Sequence, residues 1–290
     1  VFDWDPGSDW IDVKSFGAKG DGRTDDTAAL QAAFDRLDNG VVIYLPAGTY
    51  RITDTLAWRG QKTRLTNTAV IGCGEKTQIV WDGAAGGRMV RDSGLSLARY
   101  FGFVLDGRGK ASVGLWNDQL HRFETQCRYS YLAFRNIGPR HQGCAVLSES
   151  NAYDGQSDSE PTFENCIFDN CASYCVWNMT RTVNCTFTKT TVQPFRNSSG
   201  SAMLLENCLM NSTSSFNGSK WRLVNCLCAY DYRTQIDGET QIAENSDFLS
   251  APIELGPDYA PIDKTALSVD AGCTVSYPSA LISGGCAVDF

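Results

Sequence analysis

"FENCIF" at residues 163–168 returns as "TVNCTF" at 182–187, "LENCLM" at 205–210, "LVNCLC" at 223–228 and "AENSDF" at 243–248. The asparagines of this frame, Asn165, Asn184, Asn207, Asn225 and Asn245, are 19, 23, 18 and 20 residues apart. Each is followed by Cys166, Cys185, Cys208, Cys226 or Ser246, and three residues on by Phe168, Phe187, Met210, Cys228 or Phe248. Two residues before each come Phe163, Thr182, Leu205, Leu223 and Ala243. A period near 20 residues built from short β-rich runs is the signature of a solenoid. One turn does not bury its own apolar face, and stacked turns share a continuous core. Asparagine suits the corner of such a turn because it tolerates the left-handed backbone. Its amide donates and accepts, so amides stacked one rung (about 4.8 Å) apart satisfy one another. The frame therefore predicts a vertical ladder of buried asparagines, Asn184 among them. Beside it, the four cysteines are expected to stack as small apolar side chains, not as cross-links. Outside that column, Cys171 with Cys175 and Cys273 with Cys286 are the better-placed disulfide candidates.

Upstream, "DVKSFGAKGDGRTDDTAALQAAFD" spans residues 12–35. Leu30, Ala33, Phe34 and Leu37 fall at i, i+3, i+4 and i+7, which predicts a helix over 26–38 with one apolar stripe. Asp25 or Asp26 is expected to cap its start, and Asn39-Gly40 to stop it. Gly17, Gly20 and Gly22 lack the spacings of a phosphate-binding loop, so they are read as the turn that reverses the chain into the helix. A solenoid end exposes strand edges that invite aggregation, and a terminal cap removes that hazard. Between helix and repeats, "VVIYLPAGTYRI", "TAVIGCG", "TQIVWDG" and "FGFVLDGRG" read as strands broken at Pro46 and the glycines. The expected organisation is one unit over 1–290, with a cap at 1–40, coils at 41–250 and a terminal segment at 251–290.

The formal charge of −8 on 290 residues disfavours nucleic acid as a partner. No run approaches the roughly 18 apolar residues of a membrane helix, so insertion into a bilayer is not expected. The start, "VFDWDPGSDW", has neither the basic end nor the apolar run of a signal peptide, and reads as a mature end left once such a peptide has been removed. Twelve cysteines with no CxxC pair, and only two histidines, His121 and His141, disfavour zinc. The expected location is secreted or at the cell surface.

The segment at 12–35, with "VVIYLPAGTYRI", "IGCGEKTQIVWDG" and "FVLDGRGKASVGL", resembles the pectate-lyase superfamily, in the branch of family 55 glycoside hydrolases and phage tailspikes. The resemblance covers residues 11–116 and, more loosely, the coils to about 250. "DYAPIDKTALSVDAG" at 258–272 is similar to the terminal segment of bacterial secreted β-helix proteins. The resemblance implies an all-β, right-handed parallel β-helix with an N-terminal capping α-helix. It also implies a polysaccharide partner, since most members are lyases or glycoside hydrolases and some are non-catalytic.

Each chemistry has its own residue requirement. A hydrolase needs two carboxylates, and the coil supplies a ruler of about 4.8 Å for one rung and about 9.6 Å for two. "SESNAYDGQSDSEP" at 148–161 offers Glu149, Asp154, Asp158 and Glu160, and "CAYDYRTQIDGE" at 228–239 offers Asp231, Arg233 and Asp237. A lyase needs a base and a cation against a uronate carboxylate. "RNIGPRHQG" at 135–143 supplies Arg135, Arg140 and His141, the last titrating near neutral pH. The expected catalytic set is Arg140, His141, Asp154, Asp158, Glu160 and Asp231. Trp116, Trp177 and Arg233 are expected to bind the sugar. No metal site and no cofactor are expected, calcium entering only with β-elimination. The Gly-His-Gly signature of polygalacturonases and the tyrosine-histidine motif expected of alginate epimerases are absent, which excludes those two subfamilies. The alternative is a non-catalytic surface or fibre protein that assembles side by side or end to end. No complete catalytic signature is present, and the chain ends on "GGCAVDF" like a segment of something longer.

Overall fold

In each repeat the chain runs a short strand, turns at the asparagine, and runs a second strand. Thr162–Glu164, Asn165 and Ile167–Asp169 form one such unit. The computed structural model describes residues 2–58, 65–92, 94–117, 126–138, 144–148, 161–171, 180–188, 202–211, 214–216, 220–229, 234–236, 241–244, 247–249, 253–255, 267–269, 274–275 and 288–289. Among them, the strands before the corner stack into a first sheet of twelve, and those after it into a second sheet of eleven. A third sheet holds Leu56–Trp58, Arg88–Asp92, Val113–Asn117 and Cys144–Ser148. Strand pairing is parallel in all three sheets, and the architecture is a parallel β-helix closed at one end by a single α-helix. In the early coils, Arg99 stacks on Ala69, Arg128 on Arg99 and Thr162 on Arg128, so each turn takes 29 to 34 residues. In the later coils, Arg181 stacks on Thr162, Leu204 on Arg181 and Arg222 on Leu204, so each turn takes 18 to 23.

The ladder forms with one correction. Asn184 Nδ2 donates to Asn165 Oδ1 at 3.3 Å, Asn207 Nδ2 to Asn184 Oδ1 at 3.1 Å, and Asn225 Nδ2 to Asn207 Oδ1 at 3.1 Å. All four asparagines have φ between 52° and 54°. Asn245 lies outside the described residues. The expected burial is wrong: Asn184, Asn207 and Asn225 are exposed. At a left-handed corner consecutive side chains diverge, and the inward direction belongs to the following cysteine, which is buried in every case. Lower coils turn the same corner at Gly102 and Tyr131, both with positive φ. A second amide column runs along the other edge of the second sheet, where Asn170 donates to Asn136 at 2.7 Å and Asn136 to Asp106 at 3.0 Å.

Phe163, Thr182 and Leu205, two before the asparagine, and Phe168 and Phe187, three after it, are buried, and the aromatic ones join columns of rings. Phe34, Trp58, Tyr100, Tyr129 and Phe163 stack with centroids 4.8–5.4 Å apart, and Phe134, Phe168 and Phe187 at 5.1 and 4.8 Å. Stacking at this separation is a favourable aromatic geometry, and the rung spacing imposes it where the rings sit on paired strands of one sheet, as in Tyr100, Tyr129 and Phe163. Between the columns lie the buried Cys166, Cys185, Cys208 and Cys226. The thiols of Cys166, Cys208 and Cys226 donate to Tyr129 O, Thr182 O and Leu205 O at 3.4, 3.6 and 3.5 Å. Burial and the adjacent Cys166 thiol hold the Cys185 thiol well above its ordinary range. No disulfide occurs among the described residues. Cys175, Cys273 and Cys286, needed for the two candidate bridges, lie outside them.

The helix, α1, covers Thr27–Phe34, shorter than the expected 26–38. Past Phe34 the chain tightens, with Arg36 N donating to Ala33 O and Leu37 N to Phe34 O. Leu30, Ala33, Phe34 and Leu37 are buried as the stripe requires. The capping carboxylate is Asp25, whose Oδ1 accepts from Thr27 N at 3.1 Å and Thr27 Oγ1 at 2.6 Å. Asp26 does something else. It is 1% exposed, and its carboxylate accepts from Lys19 N at 2.7 Å and Gly20 N at 2.9 Å. The glycine loop is therefore an anion cradle after all, filled by the chain's own carboxylate. Gly20 is needed there: its φ is +63°, and a Cβ would meet the Tyr50 ring at 3.0 Å. Gln31 completes the cap. Its side-chain amide accepts from Ala57 N at 2.8 Å and donates to Ala57 O at 3.1 Å, as a neighbouring strand would.

Asp26→Ala leaves two N–H groups without their acceptor and is expected to cost about 2–4 kcal/mol in urea unfolding; a loss below about 1 kcal/mol would dismiss the cradle. Asn207→Ala, which loses the ladder and strains the corner, is expected to cost about 2 kcal/mol, and Asn207→Gly about half of that. Equal losses would show that the amides contribute all of it.

Candidate carbohydrate-binding site

The three outer faces of the coil differ in chemistry. On the second sheet, charges are spent on one another. Arg51 Nε and Lys110 Nζ lie 2.8 and 2.9 Å from the two oxygens of Asp82, and Arg135 holds Glu75 with both guanidinium nitrogens at 2.7 and 2.8 Å. Hydrogen bonds from Lys110 and Arg51, with their charges, take the Asp82 carboxyl from its ordinary 3.8 down to about 2. The Asp82 pairs rivet adjacent coils, the Glu75 pair reaches across two, and such pairs leave little to offer a ligand.

The third sheet is different. In Val113–Asn117, Leu115 and Asn117 are buried and Trp116 faces outward, half-buried. Register places Ala57, Arg91, Trp116 and Leu147 in one outer column. The guanidinium carbons of Arg88 and Arg91 lie 4.0 and 5.1 Å from the centre of the Trp116 ring. Desolvated cation–π contacts of this kind are worth about 0.5–2 kcal/mol and hold the indole in place. An indole with two planar guanidiniums is suited to a sugar: the ring takes its apolar face and arginine takes hydroxyls or a carboxylate. Behind this column, Trp58, Asp92 and Asn117 are in register and buried. Tyr100 donates its hydroxyl to Asp92 Oδ2 at 2.7 Å. Burial, and then the Asp92 charge, push that hydroxyl well above its ordinary range. A buried carboxylate is retained only when hydrogen-bonded, and this one ties the third sheet to the first through the Tyr100 hydroxyl.

Of the residues expected to form the site, Trp116 is the one among the described residues, and it faces outward on the third sheet. Arg140, His141, Asp154, Asp158, Glu160, Trp177, Asp231 and Arg233 lie outside the described residues. In the chain, residues 139–143 lead into Cys144–Ser148 and residues 149–160 leave it, so both segments are joined to the strand stacked on Trp116. Sequence reasoning missed Arg88 and Arg91. They stand three apart in "RMVRD", and only the register with the next coil brings them to Trp116. Among the described residues no group of three histidine, cysteine, aspartate or glutamate side chains is placed to hold a metal ion, and no helix is long and apolar enough to cross a membrane.

A family model described as rhamnogalacturonase A/epimerase, pectate lyase-like, matches residues 10–219, and the chain belongs to this family. Alginate lyase 7 of Azotobacter vinelandii is 37% identical over 99 residues, covering 29% of this chain and 12% of that protein. Mannuronan C5-epimerase AlgE3 of the same organism is 46% identical over 73 residues, covering 24% and 4%. The chain thus spans a small fraction of these curated relatives. By structure it is similar to the ORF18 protein of Geobacillus virus E2, with TM-score 0.53, 14% identity, and coverage of 97% of this chain and 59% of that one. It is also similar to the Dettilon tailspike protein, with TM-score 0.52, 12% identity, and coverage of 92% and 62%. These likenesses show the fold. The family is one of carbohydrate-active β-helix proteins, with polysaccharide lyases, epimerases and glycosidases among the relatives.

Because the folded Asp82 carboxyl is depressed from 3.8 to about 2, its contribution is complete above pH 4 and is lost as pH falls from 4 to 2. Asp82→Asn is expected to flatten the thermal-stability profile in that window at low salt. A profile parallel to wild type would remove the ion-pair explanation.

Proposed function

We propose that the protein is a secreted enzyme that cleaves glycosidic bonds of a polysaccharide lying in a groove along the outer face of the third sheet. The observation that carries this reading is Trp116, turned outward beside Arg88 and Arg91 on strands that the chain joins to its densest acidic stretch. Trp116 takes the face of one sugar, and the two arginines bind polar or acidic groups of that sugar or the next. For hydrolysis, two of Asp154, Asp158, Glu160 and Asp231 serve as proton donor and as base or nucleophile. For β-elimination, His141 takes the proton alpha to the uronate carboxyl and Arg140 balances the carboxylate, with calcium as the additional cation. Trp177 and Arg233 extend the sugar contacts. The names of the relatives, a lyase, epimerases and a glucosidase, support carbohydrate chemistry without choosing between these reactions.

A panel of acidic and neutral glycans, assayed for new reducing ends and for the absorbance of unsaturated uronates, separates the two routes. Both signals are expected from a lyase and reducing ends alone from a hydrolase. Trp116→Ala is expected to lower kcat/KM about tenfold, equivalent to roughly 1.4 kcal/mol. Asp158→Asn is expected to lower kcat by about 10²- to 10⁴-fold if Asp158 is the acid or base. A panel with no product from any glycan would leave the non-catalytic spacer or adhesin as the function.

A further inference from the structure

The outer face of the first sheet carries a cationic column that the site above does not use. Register stacks Arg99, Arg128, Thr162, Arg181, Leu204 and Arg222 one above another. All four arginines are exposed. Arg181 is paired with Glu206 at 2.6 Å. Arg99 and Arg128 are directly opposite one another on adjacent rungs, about 4.8 Å apart in backbone spacing. Among the described residues neither has an ion-pair partner. Like charges directly opposite in a sheet are destabilising, and in a chain of net charge −8 an acidic partner would be easy to supply. The acidic positions of the neighbouring outer column are Asp12, three rungs below Phe101, and Glu164, one rung above Ser130, and neither pairs with Arg99 or Arg128.

Beside the two arginines stands an aromatic surface. Phe101 follows Arg99 by two residues and shares its outward direction. Phe2 packs on Phe101 at 4.8 Å and on Tyr131 at 5.1 Å, and Tyr131 is 45% exposed. Trp4 lies 5.4 Å from Phe101 and donates its indole N–H to Gly72 O at 2.8 Å, which pins the N-terminal arm across the face. Two uncompensated guanidiniums edged by rings match a polymer with both carboxylates and apolar ring faces.

We propose that this face, centred on Arg99 and Arg128 and edged by Phe2, Phe101 and Tyr131, is a second glycan site that holds an acidic polysaccharide along the coil axis. The polymer lies parallel to the column, its carboxylates meeting guanidiniums at one-rung or two-rung intervals, about 4.8 or 9.6 Å. Arg181, paired with Glu206, and Arg222 stand higher in the same column. The site is on a different face from Trp116 and binds whether or not cleavage occurs there. Nucleic acid offers similar groups, but its denser negative charge is opposed by the protein's own.

The test is titration of the full chain with oligogalacturonate, a neutral β-glucan oligomer and single-stranded DNA. Wild type is expected to bind the oligogalacturonate alone, with affinity falling as NaCl rises from about 0.05 to about 0.5 M. Arg99→Gln with Arg128→Gln is expected to lose tenfold or more of that affinity, and Lys110→Gln, which removes a cation from another face, to keep it within twofold. Melting of the double variant at low salt is expected at or above that of wild type, since a repulsion is removed; if it does not fold, Arg128→Gln alone gives the same readout. Undiminished binding by the variant, equal binding of DNA, or no binding of oligogalacturonate by wild type would each overturn the inference. Oligogalacturonate binding that needs Arg99 and Arg128, in a protein that turns over no glycan, would retain this site while removing the proposed catalysis.

Discussion

The left-handed corner between the first and second sheets governs the rest of the molecule. Asn165, Asn184, Asn207 and Asn225 each hold φ near 53°, so each coil turns at the same height relative to the one below. The amide ladder makes this agreement cooperative, because Asn184 and Asn207 each donate to the coil before and accept from the one after. Once the corner is in register, the inward positions on both sides must stack as well. Phe163 then meets Tyr129, Phe168 meets Phe134 and Phe187, and the cysteines lie in file. A single-residue slip would turn this core outward. The repetition that makes the solenoid economical therefore also makes its register decisive.

A stack of this kind has a problem only at its ends, and the N-terminal end is closed by converting side chains into substitutes for backbone. The Gln31 amide acts as a peptide group toward Ala57, completing the edge of the third sheet. Asp26 fills the amide nest of Lys19 and Gly20 and so fixes the loop that aims α1. Phe34 continues the aromatic column by stacking on Trp58 at 4.9 Å. The cap is thus the first rung of the solenoid made from a helix, matched to the coil in hydrogen bonds, ring stacking and apolar surface. This explains why α1 needs only eight residues. A helix that short is marginal alone and takes its stability from tertiary packing.

Features that repeat were legible in the sequence. The later coils, at 18 to 23 residues per turn, announced themselves through Asn-Cys and fixed the fold class. The earlier coils follow the same geometry but turn at Gly102 and Tyr131, and their longer third side hides the period. Asn184 was misplaced inside because polarity in a ladder was equated with burial, whereas corner geometry reserves the interior for the next residue. The second column, Asp106, Asn136 and Asn170, escaped notice because its members differ in type and stand 30 and 34 residues apart. The candidate site was legible only in part. Trp116 was visible as an aromatic among polar residues, but Arg88 and Arg91 reach it across a strand pair, and register between coils is not written in local sequence.

Charge on this molecule is informative face by face. The second sheet neutralises its charges internally through Asp82 with Arg51 and Lys110, and through Glu75 with Arg135. The third sheet sets two guanidiniums against an indole, 4.0 and 5.1 Å from the centre of its ring. The first sheet places Arg99 over Arg128 with no acidic partner among the described residues. An acidic protein thus sets guanidiniums beside exposed or half-exposed rings at two outward stretches. A rigid column with fixed spacing suits a polymeric ligand better than a compact one, because the same short contact can recur from coil to coil at a constant interval. The ladder that builds the core is therefore also what gives the outer faces a periodic surface.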